Sequence, residues 1–151
     1  MDDVTLIAAS PRIDHEKFYV FTGLGQILLP VLTVGGVAAI DGLAGVFPRV
    51  VVKLFNMFTD GVAKGHTQHA IEQMRDLQFR ICEGEKLVAR WGVVGMKEAL
   101  ARLWSIGDQK GGRLPLAGGF EDGDAEWKKW ADVFQGLKEL EEQIKADGQK
   151  A

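Results

Sequence analysis

The sequence predicts an α/β fold followed by a helical tail, and three observations lead to this prediction. Two short apolar runs, residues 18–22 and 37–40, each end at or near a glycine, and a stretch of helical character follows each run. A short apolar run without polar alternation is typical of a strand buried on both faces, as in a parallel sheet covered by helices. Beyond Gly61, apolar residues recur at three- and four-residue steps, which predicts helices.

Taken in order, the first part of the chain gives two strand–helix units. Residues 2–10 predict a short helix that ends before Pro11. The strand at 18–22 is rich in aromatic and β-branched residues, and a helix over 26–33 follows with Pro30 in its first turn or at a kink. After the strand at 37–40 comes a glycine loop, and Pro48 opens the next helix, where a missing N–H costs nothing.

The rest of the chain predicts three further helices. The first covers residues 66–82 with Gly84 as its stop, residues 85–91 extend or restart it before Gly92, and the second covers 95–105. Residues 108–119 are glycine-rich and predict a loop. Residues 124–146 carry the most regular apolar stripe, which predicts one long helix whose tryptophans pack on the core or on another subunit.

Composition and charge narrow the class of protein. The 151 residues suffice for one domain with a real core. A net charge of −3 argues against nucleic acid as a partner. Cys82 is the only cysteine, which suits a reducing compartment and predicts a cytoplasmic protein. We expect no membrane partner, because the N-terminus lacks a basic region and the apolar run at 27–34 is too short to span a bilayer.

The residues alone assemble no active site. Gly23-Leu24-Gly25 stands between a strand and a helix, as a phosphate cradle would, but Leu28 occupies the place of the third fingerprint glycine, so a plain tight turn is the better interpretation. Neither His66 nor His69 has partners at metal-ligand spacing. We therefore expect neither a metal nor a cofactor.

Three other side chains allow a functional and a structural interpretation. Asp41 follows the second strand, where it would contact a ligand or cap the next turn. Cys82 is more simply a small buried side chain than a nucleophile, since no base can be placed beside it. Lys97 is more simply a solvated lysine than a catalytic amine.

Several motifs, in this order, carry a resemblance to a known family: Phe18-Tyr19-Val20-Phe21-Thr22-Gly23, Gly35-Gly36-Val37-Ala38-Ala39-Ile40, Leu43-Ala44-Gly45-Val46, Val93-Val94-Gly95-Met96-Lys97 and Arg113-Leu114-Pro115-Leu116. Together they resemble the C-terminal half of the dihydrodipicolinate synthase / N-acetylneuraminate lyase family, which are lysine-dependent class I lyases and aldolases on a (β/α)8 barrel with extra helices after it. The loop is most similar to the keto-acid aldolase branch, such as 4-hydroxy-2-oxoglutarate aldolase.

The resemblance implies both a fold and a chemistry. Residues 1–61 would form part of the barrel, its last two βα units, and residues 62–151 a C-terminal helical extension. The family acts through a lysine that forms a Schiff base with pyruvate or a 2-keto acid, assisted by a tyrosine, and both positions would lie before Met1. By resemblance this chain carries only a substrate-facing wall, with Ile40 against the keto acid and Gly23 and Asp41 as nearby candidates.

Two unclosed barrel strands would leave their ladder edges unpaired, which favours pairing with another chain. We therefore expect a fragment that is inactive alone and that forms a homo-oligomer or associates with full-length subunits. The main hypothesis is a lyase of this family represented by its C-terminal part. The alternative is a non-catalytic shortened paralogue that binds or modulates full-length subunits. A third interpretation, an unrelated helical interaction domain, requires that residues 18–23 and 37–40 are not strands.

Overall fold

The computed structural model describes residues 1–149. The last two positions of the predicted helical extension, 150 and 151, lie outside the described residues. The elements in chain order are α1 (Asp2–Ala8), β1 (Phe21–Thr22), α2 (Leu28–Thr33), β2 (Ala38–Ala39), α3 (Pro48–Lys64), α4 (Gln68–Trp104), α5 (Asp124–Lys128) and α6 (Ala131–Gly148). Short 3-10 turns, Gly25–Ile27 and Leu43–Gly45, precede α2 and α3.

The two predicted strands pair in parallel. Phe21 lies opposite Ala38 and Thr22 opposite Ala39. One further backbone hydrogen bond continues the pairing at each end. The Val37 N–H donates to the Val20 carbonyl and the Ile40 N–H donates to the Thr22 carbonyl, both at 2.9 Å. Each strand leads through a 3-10 turn into a helix, which confirms the α/β fold and excludes the purely helical interpretation.

The prediction that the strands are buried on both faces is wrong. Ala38 and Ala39 are only half-buried, and Ile40 leaves 76% of its surface exposed. The physical reason is that the sheet has only two strands within residues 1–149 and that α2 is the main helix packed against them. Short apolar runs carry the signal of a buried strand, but burial also depends on neighbours that the described residues do not supply.

The core lies on the other side of the strands, between α3, α4 and α6. Its largest buried side chains come from all three helices and from the loop before α3: Phe47, Leu54, Ile81, Leu87, Phe134 and Leu137. The ring centroids of Phe47 and Phe134 are 5.5 Å apart in a tilted arrangement that suits aromatic pairs. The apolar faces predicted from helical spacing therefore meet in one shared cluster.

The helix predicted to stop at Gly84 continues to Trp104. A Cβ on Gly84 would lie 2.8 Å from a methyl of Leu137 and 3.0 Å from both methyls of Leu43, so glycine here permits close packing and does not end the helix. The real irregularity is at Gly92, whose φ of 53° and ψ of −136° are non-helical and divide α4 into two segments. Glycine tolerates such a conformation better than any other residue.

The single helix predicted over 124–146 is two helices. The junction at Lys129 and Trp130 is tightened by two i to i+3 bonds, from the Lys129 N–H to the Glu126 carbonyl and from the Trp130 N–H to the Trp127 carbonyl. In addition, the Glu126 carboxylate accepts the indole N–H groups of Trp91 and Trp130 at 2.8 and 3.0 Å. These bonds fix the turn, and the apolar stripe continues across it.

None of the helices in the described part of the chain combines the length and the apolar character needed to cross a bilayer.

Candidate functional site

The predicted site residues lie at one edge of the molecule. Because β1 and β2 are parallel, their carboxyl ends meet at the same edge, with Gly23 after β1 and Ile40 and Asp41 after β2. In open parallel sheets this edge is where ligands bind. The structure therefore brings the three candidate residues to a common edge, as the sequence predicts.

Two of these residues face outward. Both Ile40 and Gly23 are exposed, and a Cβ on Gly23 would meet no other atom within 4 Å. Thr22, the last residue of β1, is buried directly before this glycine, and its hydroxyl accepts from the Leu24 N–H at 3.0 Å. This local hydrogen bond closes a tight turn, which favours the tight-turn interpretation of Gly23-Leu24-Gly25 over a phosphate cradle.

Asp41 caps the turn that follows β2. Its Oδ1 accepts a hydrogen bond from the Ala44 N–H at 2.7 Å, an arrangement typical of an aspartate that begins a turn. Its other oxygen, Oδ2, is buried and has no hydrogen-bond partner among the described residues. The capping role is thus visible in the structure, whereas contact with a ligand stays a prediction.

Glu85 is a member of this site that sequence reasoning missed. It projects from the middle of α4, is only 5% exposed, and its Oε1 also lacks a hydrogen-bond partner within residues 1–149. Asp41 Oδ2 and Glu85 Oε1 each lie 2.6 Å from the position that a Cβ on Gly25 would occupy. Two carboxylates that are 44 positions apart in the chain therefore flank one glycine, and any side chain at Gly25 would collide with both.

The surroundings of Glu85 disfavour its charged form. Burial raises the pKa of the Glu85 carboxyl to about 7, and the negative charge of Asp41 acts in the same direction, while a hydrogen bond from the Leu43 backbone opposes both effects. A glutamate close to half-protonated at neutral pH is unusual, and such groups occur often at functional sites.

One face of α4 holds the loop that follows β1. The Gln78 side chain accepts from the Leu29 N–H at 2.7 Å and donates to the Gly25 carbonyl at 3.1 Å. One turn later, the Cys82 thiol donates to the Gln26 carbonyl at 3.3 Å. The half-buried Cys82 thus has a structural role, as the sequence predicts. Gln78, Cys82 and Glu85 share this face by helical spacing, and that spacing was the available signal for Glu85.

The remaining candidates lie apart from this edge. The His66 ring packs against Phe58, with centroids 5.4 Å apart, and His69 and Lys97 are exposed. No group of three or more His, Cys, Asp or Glu side chains within residues 1–149 is arranged to hold a metal ion.

These features define an α/β unit in which the carboxyl edge of two parallel strands carries the half-buried Asp41 and lies against the buried Glu85 of α4. The chain resembles known structures over nearly its whole length. It superposes on a Thermus thermophilus protein, provisionally assigned as a dihydrodipicolinate synthase, with a TM-score of 0.70 and 25% identity, over 92% of this chain and 43% of that one.

A provisionally assigned dihydrodipicolinate synthase family protein of Coccidioides immitis matches with a TM-score of 0.69 and 24% identity, over 93% of this chain and 43% of that one. No family profile matches the sequence. The two structures confirm the resemblance of this chain to the C-terminal part of a dihydrodipicolinate synthase family protein. The chain spans less than half the length of the structures it matches.

Proposed function

We propose that this chain is the C-terminal part of a lyase of the dihydrodipicolinate synthase / 2-keto acid aldolase type, and that it supplies the last two βα units of a (β/α)8 barrel and the helices that follow. The observation that carries the proposal is the fold match over 92% of this chain with 43% of a much longer one. The substrate would be pyruvate or another 2-keto acid, and the imine-forming lysine and the proton-transferring tyrosine would belong to polypeptide outside this chain.

In that arrangement the carboxyl edge of β1 and β2 forms one wall of the substrate site. Ile40 and Gly23 would lie against the bound keto acid, since both are exposed at this edge. The lysine amine attacks the ketone carbon, and the carbinolamine then loses water to give the imine, for which a group must protonate the departing hydroxyl. This chain would shape and shield the site, with Asp41 fixing the loop beneath the substrate through the Ala44 N–H.

The exposed apolar surface near the strands supports the proposal that the two strands belong to an incomplete barrel. Phe21 on β1, Tyr19 before it and Ile40 after β2 are all large and exposed. Each of the two strands has a neighbour on one side only within the described residues. Unpaired strand edges and apolar side chains of this kind associate readily with other strands. We propose that a second polypeptide or the rest of a longer protein covers this surface, either as a homo-oligomer or with full-length subunits.

The test compares this chain with a longer polypeptide that includes the reading frame upstream. Each is incubated with pyruvate and reduced with borohydride, and the modified lysine is located by peptide mass spectrometry. We expect no adduct on this chain alone and one adduct in the longer protein, on a lysine that precedes Met1. A specific adduct on a lysine of this chain would contradict the proposal.

A matched pair of variants tests the wall. In the longer protein, Ile40→Asp should raise KM for the keto acid strongly, because a carboxylate would face the anionic substrate. Ile106→Asp is the control, since Ile106 is also largely exposed but follows α4 in a different part of the chain. Equal KM values for the two variants would remove Ile40 from the site.

A second candidate function is favoured by the same exposed surface. A shortened paralogue with this fold would bind full-length subunits through Phe21 and Ile40 without catalysis of its own. An upstream frame that encodes neither a strand with lysine nor an earlier strand with tyrosine, together with a defined complex of the two chains, would favour this function over the lyase.

A further inference from the structure

Two carboxyl groups from different parts of the chain lie beside Gly25. Asp41 comes from the loop after β2, Glu85 from α4, and Gly25 from the loop after β1. The buried oxygens Asp41 Oδ2 and Glu85 Oε1 are both acceptors without a donor among residues 1–149. They flank the same small space, since each lies 2.6 Å from the position of a Cβ on Gly25. Two like charges at such a place are costly, because burial removes the water that would separate them.

We propose that Glu85 is protonated at neutral pH, and that its neutral form lets α4 pack against the loops that follow β1 and β2, where the carboxyl group of Asp41 lies nearby. A protonated carboxyl group is both a donor and an acceptor, whereas an ionised one only accepts, so protonation gives a donor to a buried group whose Oε1 has no partner among residues 1–149. Glu85 is the more buried of the two side chains, so it is the one whose charge costs more.

Within the described part of the chain, the elements around Glu85 place no free positive charge against its carboxyl group. The 3-10 turns Gly25–Ile27 and Leu43–Gly45 contain no ionisable side chain. On α4 itself, Cys82 donates its hydrogen to a backbone carbonyl, and the neighbouring Lys86 is exposed and paired with Glu83. On α6, Leu137 packs against this part of α4, and the buried Glu141 is bound to Arg49. Asp41 is therefore the charged group that acts on Glu85, in agreement with the causes of its raised pKa.

Loss of this proton would place a negative charge on the buried Glu85 carboxyl group, close to the carboxyl group of Asp41. The loops that carry Gly23 and Ile40 would then separate from α4, while the hydrogen bonds of Gln78 to Gly25 and Leu29 would resist this separation. The pair thus makes the order of this edge depend on pH in the neutral range. This dependence is a property of the folded chain alone and does not rest on the proposed function.

The test follows this 151-residue chain by NMR and by hydrogen exchange. Carboxyl carbon shifts should show Glu85 titrating near its raised pKa of about 7, clearly above the value of about 4.3 that is usual for a glutamate. From about pH 5 to about pH 8, the exchange of the Leu29 amide, corrected for its intrinsic rate, should accelerate by on the order of 100-fold. Glu85→Gln, which imitates the protonated form, should abolish that acceleration, and the control Glu83→Gln should leave it unchanged.

A second variant keeps the test decisive if Glu85→Gln does not fold. Asp41→Asn retains the Oδ1 acceptor for the Ala44 N–H and removes the charge, so it should lower the midpoint of Glu85 titration toward the value of about 4.3 that is usual for a glutamate. Titration of Glu85 at that usual value in the wild-type chain would overturn the inference. So would a wild-type pH dependence of Leu29 exchange in either variant.

Discussion

Replacement of Glu141 by glutamine probes a helix cap that the sequence does not reveal. Glu141 lies on α6, yet its carboxylate accepts the N–H groups of Arg49 and Val50 in the first turn of α3, at 3.0 and 2.9 Å. Phe47, the N-cap residue of α3, has no side chain that can accept these bonds, and Pro48 has no N–H. A carboxylate 92 positions away therefore performs the work of a local cap.

The cost of Glu141→Gln can be worked from these contacts. The substitution keeps the shape but turns one oxygen into an NH2 group that faces a backbone N–H, and a buried donor left without an acceptor costs about 1–3 kcal/mol. Loss of a negative charge at a helix N-terminus adds about 0.3–1 kcal/mol. The ion pair with Arg49 contributes little, because the Arg49 side chain is half exposed. We expect the free energy of unfolding to fall by about 2–3 kcal/mol.

Urea unfolding followed by circular dichroism measures this change in free energy. In a separate thermal unfolding experiment, Tm should fall by about 4–12 °C for a chain of this size. Glu142→Gln is the matched control, since Glu142 is the exposed neighbour, and its free energy of unfolding should change by no more than about 0.5 kcal/mol. If Glu141→Gln is as stable as the control, the inter-helix cap does not stabilise the fold and the reasoning is wrong.

Three further predictions concern stability. Phe134→Ala should lower the free energy of unfolding by about 3–5 kcal/mol in a urea titration, since this fully buried ring packs on Phe47 at 5.5 Å. Gly92→Ala should cost about 1–3 kcal/mol because of its positive φ, whereas Gly136→Ala in the regular helix α6 should be neutral or stabilising, and equal effects would contradict this. Hydrogen bonds from Lys129 and then from two indole N–H groups lower the pKa of Glu126 to about 2, so its contribution should be complete above about pH 4.5 and be lost as pH falls toward about 2. Thermal unfolding across that pH range should show this loss of stability, and Glu126→Gln should make the loss smaller. If the variant loses as much stability in acid as the wild-type chain, Glu126 is not its source.

The free energy of unfolding should rise with pH in the acid range, because of Glu126, and fall with pH toward neutrality, because of Glu85. For Glu85 the folded pKa is raised, to about 7, so its protonated form favours the folded state and that contribution is lost as pH rises from about 4.5 through about 7. The contribution of Glu126 is lost as pH falls. Stability should therefore be greatest in the mildly acidic range, which a series of urea titrations can locate.

The sequence predicts the parallel strand pair because apolar runs and glycines are local signals. Residues 18–22 and 37–40 both contain a strand, although each observed strand is shorter than its run. The length of a strand depends on its neighbours, and β1 and β2 have only each other within the described residues. The helices behave likewise: the apolar stripes are local and correct, and the predicted interruption between residues 91 and 95 is present at Gly92. The predicted stop at Gly84 and the single helix over 124–146 are wrong. Gly84 is needed for packing against Leu137, which spacing along one helix cannot show.

The candidate site also has residues whose position the sequence predicts and one whose surroundings it does not predict. Gly23, Ile40 and Asp41 follow strands directly, so their position at one edge could be predicted. Helical spacing puts Glu85 on the same face of α4 as Gln78 and Cys82, but its burial could not be predicted, because it results from the approach of α4 to the two loops after the strands. An isolated glutamate in a helix with many charged neighbours is usually solvated. Only the contact with Asp41 across Gly25 gives it an unusual environment.

Because α4 continues past Gly84, the strand-bearing portion of the chain, residues 1–61, and the helical portion, residues 62–149, depend on each other for their stability. Side chains from this helix fill the same core as those from the strand-bearing portion, with Ile81 and Leu87 beside Leu28 and Leu43. A deletion of the tail would expose that shared interior, and a deletion of the beginning would do the same from the other direction. Each portion of the chain therefore depends on the other to keep its apolar side chains away from water.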